Sequence, residues 1–91
     1  MLKQRINIGR TPINSASFNG HLYVVKYLHE ECHADVETKD NNGWTPINIA
    51  SRYGHLEVVK YLHEQCNAKI TEETIKDAED EVKEYLLSKK K

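Results

Sequence analysis

Histidine and cysteine recur together in this chain. His29-x-x-Cys32-His33 and His63-x-x-Cys66 stand 34 residues apart and offer the imidazole and thiolate ligands that zinc takes. Residues three apart in a helix share a side, so His29 and Cys32 could face one ion together. Against that reading, each cysteine continues an apolar stripe, free cysteine is among the most buried residue types, and the close Cys pairs of strong zinc spacings are missing. The cysteines are expected to be core residues with half-exposed histidines beside them. A Cys32–Cys66 disulfide is not expected, because equivalent helices of stacked repeats lie about 8–10 Å apart, beyond the ~7 Å Cα limit of a bridge. His21 and His55 have no nucleophile or paired carboxylate fixed beside them, so they read as structural hydrogen-bonding groups rather than acid–base catalysts. The carboxylates between residues 72 and 84 lack the Asp-x-Asp-x-Asp-Gly spacing of a calcium loop, and no phosphate loop or dinucleotide fingerprint occurs. No catalytic residue, metal or cofactor is expected.

The elements that must position these residues come in a repeat. Shifted by 34 residues, positions 9–36 match 43–70 at 19 of 28 places, and Val24-Val25-Lys26-Tyr27-Leu28-His29-Glu30 recurs unchanged as residues 58–64. Each unit reads as two short helices. Thr11-Pro12 and Thr45-Pro46 supply an N-cap hydroxyl and a proline whose φ is already set for the first helical position. Gly20 and Gly54 stop the first helix. The second carries a stripe at Val24, Val25, Leu28 and Cys32, repeated at Val58, Val59, Leu62 and Cys66. His33 and Asn67, types that accept left-handed backbone, end it. A polar loop with an Asn42-Gly43 turn signal follows.

The string Asp40-Asn41-Asn42-Gly43-Trp44-Thr45-Pro46-Ile47-Asn48-Ile49-Ala50, followed by Gly54-His55-Leu56 and Val58-Val59, closely resembles the ankyrin repeat. The resemblance covers roughly residues 9–70. It implies an all-α solenoid of helix-turn-helix units joined by β-turn loops, curved around a surface that binds partner proteins. Asn14 and Asn48 stand where that family usually has histidine, and the spacing is 34 rather than 33. The organisation expected is a partial loop at 1–9, repeat one at 10–42, repeat two at 43–70, and a C-terminal capping helix within 71–91. That cap is read as one helix over about 72–88, from the stripe Ile75, Ala78, Val82, Tyr85 and Leu86, with acids towards its start and lysines at its end.

The chain is 91 residues, one domain at most, with hydrophobic residues at 38%, charged residues at 30% and a net charge of −1. That balance fits neither a disordered chain nor a general nucleic-acid binder. No apolar run approaches the ~20 residues needed to span a bilayer, and the first residues lack the apolar stretch of a secretory signal. An intracellular, cytoplasmic protein is expected. Positions where the two repeats differ on a shared framework are informative: Arg10 against Trp44, and Phe18-Asn19 against Arg52-Tyr53. In the family resembled these sites form the concave contact surface, and aromatic residues with arginine dominate binding hot spots. Arg10, Phe18, Asn19, Asn41, Asn42, Trp44, Arg52 and Tyr53 are therefore expected to bind another protein, although Phe18 or Tyr53 could instead pack onto a neighbouring repeat. The rival readings are a Cys/His metal module and the non-binding capped end of a longer array. Repeat one would leave Ile13, Leu22 and Val25 partly exposed on its outer side, a basis for weak self-association.

Overall fold

The first two units begin with the same local chemistry. Thr11 and Thr45 take extended backbone, and their hydroxyls accept the N–H of Asn14 (3.4 Å) and Asn48 (3.5 Å), while Pro12 and Pro46 open the helices. In the computed structural model, which describes residues 11–89, this yields α1 (Pro12–Phe18) and α3 (Pro46–Arg52). Gly20 turns the chain at φ +70° into α2 (Leu22–Glu30), and Gly54 does the same before α4 (Leu56–Glu64). His33 and Asn67 adopt φ of 56° and 57° beyond these helices, and Ala34 and Ala68 donate back to the carbonyls of Leu28 and Leu62. Each end is thus closed by residues adjacent to it in sequence.

Residues 72–88 do not form the single helix that their stripe predicts. They form α5 (Glu72–Lys76) and α6 (Asp80–Lys89), broken at Asp77–Glu79. Thr71 caps α5 in a reciprocal pair with Thr74, whose hydroxyl also donates to the Asn48 side chain of α3. The Glu79 N–H donates to the Ser51 carbonyl at 3.1 Å. These bonds tie α5 to α3, while α6 packs on α4. A continuous helix could follow only one of two neighbours that run in opposite directions, so the chain breaks and makes a third helix pair.

Between the pairs lies a continuous core in which Ile13, Val25, Ile47, Val58, Val59, Leu62, Val82 and Leu86 are at most 1% exposed. Two expectations need correction here. Ile13 and Val25 are not left open; Leu22 is half-buried, and the exposed apolar side chains of the first pair are Tyr23, Val24 and Tyr27. Val25, like Val59, faces inward, whereas Val24 sits about 100° round the helix and faces away. Nor are both cysteines core residues. Cys32 is exposed and Cys66 half-buried, both as free thiols, because α2 and α4 end before them and the helical stripe does not continue through the turn. Among the described residues, no helix is long and apolar enough to cross a membrane.

Candidate protein-binding surface

The first helices of successive pairs end side by side, which brings Phe18 against Tyr53. Their rings meet edge to face, with centroids 4.8 Å apart and planes at 75°. One residue along, the Arg52 guanidinium lies 4.6 Å from the centre of the Trp44 ring, and one of its nitrogens stands 3.8 Å from the Asp77 carboxylate. Since Arg52 and Tyr53 are neighbours, the two contacts join into one strip: Phe18, Tyr53, Arg52, Trp44. Arg52 and Tyr53 are exposed; Phe18 and Trp44 are half-buried. Ring packing onto the neighbouring pair, read as an alternative to exposure, occurs together with it.

Trp44 is held by the turn before it. The Asp40 carboxylate, itself buried, accepts the N–H of Asn42 (2.8 Å) and Trp44 (3.0 Å), and the Asp40 N–H donates to the Trp44 carbonyl (3.0 Å). Gly43, at φ +81°, permits the return. Asn41 and Asn42 are left exposed at the tip. The sequence reading passed over Asp40, although an aspartate with a free N–H two residues on is an Asx-turn signal. Asn19 is exposed, and its side-chain amide donates to the Ser15 carbonyl at 3.0 Å, which holds it at the end of α1. Arg10 lies outside the described residues.

The histidines are engaged in joining the pairs. His55 donates from Nε2 to the Phe18 carbonyl at 2.9 Å, and its ring lies so close to Gly20 that a Cβ there would come within 2.5 Å. His29 turns to Tyr61 and His63 to Tyr85, rather than to the cysteines. Among the described residues, no three His, Cys, Asp or Glu side chains are grouped to hold a metal ion. Asn48 keeps a polar link through Thr74, whereas neither side-chain atom of the fully buried Asn14 finds a partner among the described residues.

Stacked helix pairs, Thr-Pro starts and a hairpin-like turn before each new pair suit one family above others, and its model, for three copies of the ankyrin repeat, matches residues 1–74. The chain belongs to the ankyrin-repeat family. Ankyrin repeats are generally non-catalytic protein-interaction modules, and the turn and first-helix positions just described lie within the matched region. The match ends inside α5, so the ankyrin-like pairing of α6 with α4 rests on the structure. Among curated proteins, none matches the ankyrin chain.

Proposed function

We propose that this ankyrin chain binds a partner protein through the strip Phe18–Tyr53–Arg52–Trp44, with Asn19, the turn residues Asn41 and Asn42, and Arg10 at its margins. The observation that carries this reading is the joining of two aromatic contacts across a unit boundary. Trp44 is braced by Arg52 and by its turn, and Tyr53 by Phe18, so both rings offer large area with little rotamer freedom left to lose on binding. Specificity then lies in these few side chains, since the scaffold is shared by many binders. The free thiols fit a reducing, intracellular setting.

The test compares capture of binding proteins by the intact chain and by Trp44→Ala, Tyr53→Ala, with circular dichroism confirming that both are folded. The double variant is expected to lose capture at least tenfold. Equal capture by a folded double variant would remove the strip from the interface and favour the reading of a capped end whose array binds elsewhere.

A further inference from the structure

One polar contact between second helices occurs twice. The Tyr61 hydroxyl of α4 donates to Glu30 of α2 at 2.9 Å. With its single proton so committed, it accepts from His29, whose Nδ1 lies 2.9 Å away and must carry the hydrogen. Tyr85 of α6 stands in the same relation to Glu64 (2.6 Å) and His63 (3.2 Å) of α4. The residues responsible read Tyr-Leu-His-Glu at 27–30 and at 61–64, but Tyr85-Leu86-Leu87-Ser88 in α6. Every tyrosine turns towards the preceding pair and every His–Glu towards the following one. The ladder closes at α6 and is open at α2.

Equivalent positions measure how open it is. Tyr27 is 59% exposed where Tyr61 is 7%, and Val24 is 45% exposed where Val58 is 1%. Pro12 is exposed where Pro46 is buried. His21 is exposed, although its counterpart His55 bonds across the boundary. Beside Leu28 lies an apolar hollow of about 280 Å³ between Pro12, Ile13, Cys32 and Ala34. All of these belong to the one side that a preceding pair covers in the second unit.

We infer that the outer face of α1 and α2 docks one further helix pair of the same type, whose second helix ends in an unengaged His–Glu and closes the rung on Tyr27. A second copy of this chain cannot supply that end. His29–Glu30 and His63–Glu64 already hold Tyr61 and Tyr85, and α6 offers Leu87 and Ser88 in their place. The occupant is a tandem unit stacked in the same direction.

The experiment lengthens the full chain by duplicating residues 11–44 in frame, which sets a new His29–Glu30 against the downstream copy of Tyr27. Urea melts are then run on a double-mutant cycle: Tyr27→Phe in the downstream copy, and His29→Leu with Glu30→Ser in the upstream copy. The same cycle on Tyr61 and His29–Glu30 in the 91-residue chain calibrates the rung. The lengthened chain should melt cooperatively above the original. Both cycles should show a coupling of about fivefold or more in the unfolding equilibrium, as residues in direct contact do. Coupling within about twofold of unity in either cycle, or a lengthened chain no more stable than the original, overturns the inference. So does a concentration-dependent dimer of the 91-residue chain that Tyr27→Glu abolishes, because a second copy would then be the occupant.

Discussion

Tyr61 and Tyr85 hold their hydroxyl protons well above the ordinary tyrosine range, first because burial disfavours the phenolate and then because Glu30 and Glu64 accept those protons. Groups whose folded pKa is raised stabilise fully below the unfolded value and lose that contribution as pH climbs past it. Unfolding free energy should therefore fall above about pH 10, the ordinary tyrosine value, and Tyr61→Phe with Tyr85→Phe should flatten that fall in urea melts across pH 8–11.5. Cys66 contributes in the same sense between its ordinary 9 and about 11, to which burial pushes it. Glu64 runs the other way. The Tyr85 hydrogen bond holds its carboxyl below the usual 4.5, so its contribution is present above that pH and drains away as acid is added below it. The thiols separate by the same physics, since reactivity follows exposure and thiolate fraction. A thiol-reactive dye on the native chain should label exposed Cys32 promptly and half-buried Cys66 at least tenfold more slowly; equal rates would contradict their placement.

The third helix pair closes the free side of α3 and α4. Val82 and Leu86 are fully buried there, with Ala78 at 8% exposed. Leu86→Ala removes buried methyls from a close-packed site and should cost about 2–4 kcal/mol in a urea melt, a large fraction of what a small domain holds. Deleting residues 71–91 strips the whole face, so the remaining chain should unfold or aggregate; a soluble fragment with a cooperative melt would show that α5 and α6 are dispensable. At the turn between first and second helices, the two glycines are not equivalent. Gly20→Ala meets left-handed backbone and the rigid His55 ring at 2.5 Å, whereas Gly54→Ala meets the flexible Glu79 side chain at 3.1 Å. The backbone strain of about 1–2 kcal/mol applies to both, but only the first displaces the hydrogen bond to the Phe18 carbonyl. Gly20→Ala should therefore lower the melting temperature further than Gly54→Ala does.

Across the whole molecule, the two sides of the stack have different work. The strip from Phe18 to Trp44 and the turn at Asn41–Asn42 face outward from the first helices, while the histidine–tyrosine–glutamate rungs tie the second helices together. Changes in the strip should thus alter capture of a partner with little loss of stability, and changes in the rungs the reverse, which parallel binding and urea measurements on Trp44→Ala and Tyr85→Phe would resolve. The 34-residue period, the threonine caps, the proline starts and the left-handed ends at Gly20, Gly54, His33 and Asn67 were all legible in the sequence by itself. Each depends on residues within a few places of one another, where side-chain type acts directly on backbone conformation. The candidate strip was legible as a set of varying positions, but not the pairing of Phe18 with Tyr53 or of Trp44 with Arg52. Only the tertiary structure decided that residues 72–88 break in two, that Cys32 lies outside the core, that Val24 rather than Val25 faces away, and that His29 and His63 serve tyrosines. These outcomes turn on partners 22 to 37 residues distant, such as His63 with Tyr85 and His55 with Phe18. A helical stripe specifies which residues share a side, but not where the helix must stop in order to meet its neighbour.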